Sequence, residues 1–147
     1  MTRKITLGVS KIHVGVSDCI YLGNIDSKRD WGHARDYVEA MWLLLQQEKP
    51  RDYVIATGYT VTVRYFVEQA FKCIGVTIRW EGEGVDEIGI NAETGAVVVR
   101  IDPQYFRPTE VPFLCGDASL ANKELGWVPK ISLEVSPVHP FDKQPVS

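Results

Sequence analysis

The amino-acid sequence predicts an α/β fold in which helices flank a small mixed sheet. Short apolar runs, such as residues 19–22, alternate along the chain with segments whose apolar residues recur every three or four positions, as they do in helices. The continuous apolar run 53–56 is typical of a parallel strand that is covered on both faces. Residues 88–101 instead have the β-branched flanks and the Glu93-Thr94-Gly95 turn of an antiparallel hairpin.

Helical spacing defines the expected helices. They run from Thr2 to about His13, from Ala34 onward, from about Val63 to Ile74, and from Ala118 to Leu125. Gly126 is expected to end the last helix, and Trp127 after it to fill the core. In the second helix we expect the inward face to consist of Tyr37, Val38, Met41, Leu44 and Leu45.

The remaining segments are predicted to be strands, a loop and a tail. Strands are expected over residues 19–22, 52–57, 76–80 and 113–115. The acidic, glycine-rich segment 81–89 is expected to be a solvated loop, because Glu87 breaks the GxGxxG pattern and the carboxylates would repel phosphate. Three prolines and no apolar period predict a disordered tail over 134–147, which leaves residues 1–133 as the folded portion.

Composition is that of a globular protein. Hydrophobic residues make up 45% of the 147-residue chain and charged residues 24%, which is enough for an ordinary domain. The net charge of -3 and the scattered basic residues argue against a nucleic-acid partner. Cys19, Cys73 and Cys115 are odd in number and widely spaced, so we expect reduced, mostly buried thiols. No apolar run approaches the roughly 18 residues of a membrane-spanning helix.

Two joints carry most of the polar chemistry. Between residues 23 and 34, Arg29 lies in an expected loop that leads into a helix, where a planar guanidinium suits a phosphate. A solvated Arg29–Asp30 pair explains the same residues equally well. The second joint, residues 102–111, is stiffened by prolines and places Arg107 three residues before Glu110; from the residues alone this is a loop salt bridge.

Other charged residues have plainer interpretations. Arg64 begins the third helix and is expected to be solvated, although from there it would also be able to face a ligand. His33 and Asp36 have the residue types of a metal pair, but a third ligand is missing. We therefore favour a cap network at the start of the second helix.

Several blocks of sequence resemble the GDP-mannose 4,6-dehydratase family of the extended short-chain dehydrogenase/reductase superfamily. They are TRKI at residues 2–5, GNIDSKRDWGHARDYVEAMWLLLQ at 23–46, YVIATG at 53–58 and YFRPTEV at 105–111. The likeness covers only the C-terminal part of that family. Met1 falls where the family has a valine within a continuous chain, which we interpret as a cut.

The resemblance implies a fold and a set of site residues. The fold would be the C-terminal substrate-binding half of an extended NADP-Rossmann dehydratase, without the N-terminal dinucleotide-binding βαβ units. Lys4, Arg29 and Arg107 would face the phosphates of GDP-mannose, and Glu110 would accept hydrogen bonds from ribose hydroxyls. The full-length family implies NADP, a homo-oligomer and a cytoplasmic location.

The family's reacting groups have no counterpart in this sequence. No tyrosine is followed four residues later by lysine, and no glycine-rich dinucleotide turn occurs. We therefore expect the chain alone to bind GDP-sugar weakly and to be inactive. The alternatives are a non-catalytic short form that associates with the full-length enzyme, and an incomplete gene model.

Overall fold

The computed structural model describes residues 1–133, so the predicted tail lies outside the described residues. In chain order the helices are α1 (Thr2–His13), α2 (Ala34–Leu45), α3 (Val63–Lys72) and α4 (Ser119–Leu125). The strands are β1 (Ile20–Leu22), β2 (Lys28–Asp30), β3 (Thr60–Thr62), β4 (Ile78–Glu81), β5 (Ile88–Asn91) and β6 (Val97–Ile101), and a 3-10 helix covers Gly84–Asp86. All four predicted helices are confirmed.

The chain divides into two compact units. The first contains Met1–Ile25 and Arg64–Glu110, and the second contains Asp26–Val63 and the described residues from Val111 onward. Among residues 1–133 each unit is assembled from two separate stretches of chain, so each depends on contacts between residues that are far apart in sequence.

The first unit is built on a four-stranded sheet with the order β1-β6-β5-β4. β1 is parallel to β6, with Ile20 opposite Val99, whereas β5 pairs antiparallel with both β4 and β6. The predicted mixed sheet is therefore confirmed. In the β5–β6 hairpin the Asn91 side chain accepts the backbone N–H groups of Glu93 and Thr94, which closes the predicted turn.

Helices α1 and α3 supply much of the apolar core of this unit. Ile5 and Val9 of α1 are buried, at the spacing that predicted the helix. A side chain at Gly8 would place its Cβ 2.2 Å from Ile20 Cγ2, so the glycine allows α1 to lie directly on β1. The buried apolar residues of the remaining elements are Ile20, Leu22, Phe66, Val67, Ala70, Phe71, Ile90, Val98, Val99 and Ile101.

Arg64 is paired and partly buried, so the solvated side chain expected from the sequence was wrong. Its guanidinium donates to both carboxylate oxygens of Glu87, at 2.5 and 3.0 Å, and lies 4.7 Å from the ring centroid of Trp80. Glu87 is buried. The expected solvated loop over 81–89 is therefore wrong at this position, because the bidentate partner satisfies a carboxylate that would otherwise lose its hydration.

The core of the second unit forms around Trp127, as the sequence predicted. Trp127 is 1% exposed and packs with buried Ala40 of α2 and with Ala121 and Leu125 of α4. Its indole N–H donates to the carbonyl oxygen of Asp36 at 2.8 Å. α4 ends at Gly126, whose φ of 65° lies in the left-handed region that glycine adopts at little cost.

Asp36 ties the chain that follows Trp127 to α2. Its side chain is buried, and one carboxylate oxygen accepts the backbone N–H groups of Lys130 and Ile131, both at 3.0 Å. His33 caps α2 through its ring Nδ1, which accepts the N–H of Arg35. The predicted cap network is thus confirmed for His33, while the Asp36 carboxylate serves a tertiary contact.

The predicted inward face of α2 was wrong for three of its five residues and confirmed for Tyr37 and Leu44, which pack against Trp127 and its neighbours. Val38 is 62% exposed, Met41 60% and Leu45 82%, whereas Asp36 and Ala40 are buried. Leu43 and Leu44 pack partly against the Trp127 cluster. The helix is apolar on more than one side, so periodicity gave the helix but not the side that the second unit buries.

The segment before β3 also differs from expectation. Residues 52–57 carry no regular secondary structure, and Val54 is exposed rather than buried. The strands of this unit are β2 and β3, which pair antiparallel with Arg29 opposite Val61. Near residues 113–115 the structure has one bridge, Lys28 to Phe113, instead of a strand, and Cys115 is exposed.

Asp30, at the end of β2, holds two loops of the second unit. One carboxylate oxygen accepts the backbone N–H and the hydroxyl of Thr57, and the other accepts the N–H groups of Gly58 and Gly116. Although burial alone would raise the pKa of Asp30, these hydrogen bonds lower it below the ordinary value of 3.8. The idea of a solvated surface carboxylate is therefore wrong for Asp30.

The two sides of α2 are expected to respond differently to substitution. Leu45→Gln should change the free energy of unfolding by less than about 0.5 kcal/mol, because the side chain is already exposed. Ala40→Leu keeps helix propensity but overpacks the Trp127 cluster, and should cost about 1–3 kcal/mol. Urea unfolding followed by circular dichroism measures both, and a larger loss for Leu45→Gln would contradict this orientation of α2.

Asp30 is expected to make stability depend on pH under acidic conditions. Because its folded-state pKa lies below 3.8, the ionised form is favoured by folding; this contribution is present above pH 3.8 and is lost as pH falls through the folded-state pKa. The difference in unfolding free energy between wild type and Asp30→Asn should therefore shrink on acidification. Asp52→Asn, at an exposed position of the same unit, is the matched control, and a difference that is constant with pH would refute the role.

Candidate functional site

The first unit brings two loops together at one edge of its sheet. β1 and β6 are parallel, so their carboxyl ends, Leu22 and Ile101, lie side by side. The N–H of Asp102 donates to the carbonyl oxygen of Leu22 at 2.8 Å, which continues the pairing past the end of β6. The loop edge at the carboxyl ends of parallel strands is where α/β proteins commonly bind ligands.

The loops after β1 and β6 touch through their backbones. A Cβ at Gly23 would lie 2.1 Å from the carbonyl oxygen of Tyr105, so glycine is required for this approach. The next residue, Asn24, accepts the N–H of Arg107 at 2.8 Å and donates to the carbonyl oxygen of Arg107 at 3.0 Å. Both polar atoms of the Asn24 amide are thus used on a single residue.

Arg107 and Glu110 stand at the two ends of a tight turn. The N–H of Glu110 donates to the carbonyl oxygen of Arg107 at 3.1 Å, across Pro108 and Thr109. Proline suits the second position of such a turn because its φ is already fixed. The Arg107 residue is exposed, while Glu110 is partly buried.

Lys4 reaches the same edge from the first turn of α1. Its ammonium nitrogen lies 3.5 Å from the ring centroid of Tyr105. Partial burial lowers the pKa of Lys4, and the nearby carboxylate of Asp102 partly offsets this effect. Because α1 is packed along β1 at Gly8, its start lies near the end of that strand.

Arg29 belongs to the second unit, where it lies on β2 rather than in the predicted loop. Its Nη1 donates to the carbonyl oxygens of Lys28 and Val111, both at 2.8 Å. Of the four residues predicted to bind substrate, Lys4, Arg107 and Glu110 are therefore brought together within the first unit, and Arg29 is held by main-chain oxygens within the second.

Three residues of this edge were not singled out from the sequence. Asn24 looked like an ordinary turn residue after a strand, and Tyr105 and Asp102 were members of the segment 102–111 without an assigned role. Each gains its role from a contact with a residue that is distant in sequence. The parallel pairing of β1 with β6, which the sequence did not specify, would have pointed to them.

Chemically, this edge presents an ammonium group, a guanidinium-bearing residue and a carboxylate-bearing residue on a fixed backbone. Cations of these two kinds suit a diphosphate, and a carboxylate accepts hydrogen bonds from a sugar diol. The described residues do not fit a dinucleotide: Gly82 precedes and Gly84 begins a 3-10 helix flanked by carboxylates, and no α-helix starts there.

The second unit has an open pocket of about 270 Å³ beside α4. Its polar groups are already engaged: the Thr57 hydroxyl donates to Asp30, and Asp117 accepts the N–H of Ser119. Within residues 1–133 no group of three or more His, Cys, Asp or Glu side chains is placed to hold a metal ion. In the same range no helix is both long and apolar enough to cross a membrane.

Comparison with solved structures identifies the fold. RMD from Pseudomonas aeruginosa, solved in complex with NADPH, superposes with a TM-score of 0.69 at 18% identity, over 92% of this chain and 39% of that one. A dTDP-glucose 4,6-dehydratase from Bacillus anthracis, in complex with NAD, gives a TM-score of 0.63 at 19% identity over 89% and 35%. These neighbours share the fold of part of a longer α/β chain.

Sequence comparison identifies the family. The model of the GDP-mannose 4,6 dehydratase family matches residues 1–136. The GDP-mannose 4,6 dehydratase of Drosophila melanogaster is 62% identical over 90% of this chain, which spans only 33% of that relative's length. The human protein of the same name is 54% identical over 91% of this chain and 36% of its own length. With matches of this strength over most of its length, the chain belongs to the GDP-mannose 4,6-dehydratase family.

Proposed function

We propose that this chain is the nucleotide-sugar-binding portion of a GDP-mannose 4,6-dehydratase, the NADP-dependent lyase that converts GDP-mannose to GDP-4-keto-6-deoxymannose on the route to GDP-fucose. The observation that carries the proposal is the grouping of Lys4, Arg107 and Glu110 at the loop edge of one sheet. Family membership supports the identity of the ligand, because relatives with this name share more than half of the matched residues.

Each of these residues has a distinct role in the proposal. Arg107 donates hydrogen bonds to the diphosphate through its planar guanidinium, and Lys4 adds a second positive charge from α1. Glu110 accepts hydrogen bonds from the ribose hydroxyls. Arg29, by its match to the family block in the second unit, is proposed to bind the phosphates as well.

The dehydratase reaction also needs groups that this chain does not offer. NADP would supply hydride transfer at C4 of the hexose, but the described residues do not fit that cofactor, and no Tyr-Lys pair at the family's spacing occurs in the sequence. The chain spans about a third of the length of the curated relatives it matches. We therefore assign binding to this chain and the chemistry to the part of the family's sequence that it does not match.

The remaining features follow from the same assignment. The whole enzyme is proposed to act in the cytoplasm, as a homo-oligomer, with neither nucleic acid nor membrane as partner. A non-catalytic short form that associates with the full-length enzyme stays a prediction, and no contact among residues 1–133 favours it over the primary proposal.

Arg107 is expected to contribute strongly to nucleotide binding. A charge-assisted hydrogen bond contributes about 1.5–3 kcal/mol, so Arg107→Ala should weaken GDP binding by about tenfold or more. Isothermal titration with GDP, at low ionic strength because binding is weak, measures the change. Arg79→Ala is the matched control, since Arg79 is an exposed arginine on β4, at the opposite edge of the same sheet from β1. Equal losses of GDP affinity in the two variants would mean that the effect comes from net charge and not from a contact of Arg107.

The chain alone is expected to produce no 4-keto sugar. Incubation with GDP-mannose and NADP, followed by chromatographic detection of GDP-4-keto-6-deoxymannose, should show no turnover, because the proton-transfer groups are missing. A full-length relative serves as the positive control. Product formed by the purified 147-residue polypeptide would contradict the division between binding and chemistry.

A further inference from the structure

The Asn24 side chain forms hydrogen bonds with both backbone polar groups of Arg107. The side-chain oxygen accepts the Arg107 N–H at 2.8 Å, and the side-chain nitrogen donates to the Arg107 carbonyl oxygen at 3.0 Å, across 83 residues of sequence. Among short side chains this requires an asparagine, because it alone offers a donor and an acceptor in one plane. The contact fixes where the backbone of Arg107 lies relative to the end of β1.

The same pair of hydrogen bonds fixes the turn that carries Glu110. The Arg107 carbonyl oxygen accepts two hydrogen bonds, one from Asn24 and one from the N–H of Glu110 at 3.1 Å. Pro108, between them, has little backbone freedom of its own. Asn24 therefore holds the Arg107 end of a rigid turn, and this also fixes the position of Glu110 at the other end.

The Asn24 side chain holds the Arg107 end of this turn. Residues 107–109 are exposed, whereas the chain just before them is held at Tyr105, which contacts Gly23 and Lys4, and by the N–H groups of Tyr105 and Phe106, which donate to the carbonyl oxygen of Asp102. A loop whose backbone is free must be ordered when ligand binds, and each ordered residue costs roughly 1–2 kcal/mol of conformational entropy. A loop that is already held avoids that cost at the moment of binding.

We infer that Asn24 is a positioning residue for the nucleoside diphosphate, acting through Arg107 and the turn to Glu110. The inference rests on the proposed function, because it requires that Arg107 bind the diphosphate. Asn24 itself touches only the Arg107 backbone in the described contacts, so its effect on affinity passes through Arg107.

The test uses the 147-residue chain with GDP as the probe. Asn24→Ala should raise the dissociation constant about three- to tenfold, because it removes a pair of hydrogen bonds that hold the turn. In an Arg107→Ala background, Asn24→Ala should cause a smaller further loss than in the wild type, since only the effect on the turn to Glu110 remains. Asn91→Ala is the matched control: it is the same substitution in the same unit, at a side chain that also makes two hydrogen bonds to the backbone.

Hydrogen exchange tests whether Asn24 holds the Arg107 backbone, independently of its effect on GDP binding. In Asn24→Ala the Arg107 amide should exchange faster with solvent, whereas in Asn91→Ala it should not. Asn24→Ser provides a smaller change, in which the side chain is too short to reach both backbone atoms, and should behave like Asn24→Ala.

Two outcomes would overturn the inference alone: wild-type affinity in Asn24→Ala, or full additivity of Asn24→Ala with Arg107→Ala. A wild-type chain that does not bind GDP would instead overturn the proposed function, and the positioning role would fall with it. If the Arg107 amide exchanged at the same rate in Asn24→Ala as in the wild type, the claim that Asn24 holds the Arg107 backbone would be refuted.

Discussion

The parallel pairing of β1 with β6 is the interaction on which the candidate site depends. Because the two strands run in the same direction, both of their following loops emerge at one edge, although they are far apart in sequence. Gly23 then allows the loops to touch, and Asn24 joins them at Arg107. α1 lies along β1 and so delivers Lys4 to the same edge. An antiparallel pairing of these strands would send the two loops to opposite ends of the sheet.

The second unit shows how short elements are held by polar side chains. β2 and β3 have three residues each, and a pair of strands of that length is marginal by itself. The carboxylates of Asp30 and Asp36 accept backbone N–H groups from loops of this unit, and the Trp127 indole binds the Asp36 carbonyl. Irregular chain is thereby fixed without long strands, because a carboxylate can satisfy several amides at once.

The position of the chain within its family explains this combination of features. It corresponds to about a third of the relatives' sequence, and the charges that suit a diphosphate lie within it, whereas a dinucleotide-binding turn does not. In the second unit several apolar side chains of α2 are exposed, and so is Val54. Binding groups and reacting groups are thus separable along the sequence in the proposed enzyme, even though one substrate needs both.

The sequence by itself determined the features that depend on near neighbours. The positions of α1, α3 and α4 follow from spacing along one face, the β5–β6 hairpin from its turn residues, and the burial of Trp127 from its place after a glycine stop. The family blocks also pointed to Lys4, Arg29, Arg107 and Glu110 before any contact was known. These signals are local because they lie within one or two turns of helix or one hairpin.

Only the tertiary structure decided which residues meet across the chain. It placed Arg29 on a strand, buried Ala40 rather than Leu45 in α2, paired Arg64 with Glu87, and gave Asn24 its two bonds to Arg107. In each case the residue that makes the contact is distant in sequence. From the sequence alone, several residues of the same chemical type were equally good partners. The physical reason is that a local pattern sets the conformation of a segment, whereas its neighbours are set by the packing of the whole unit.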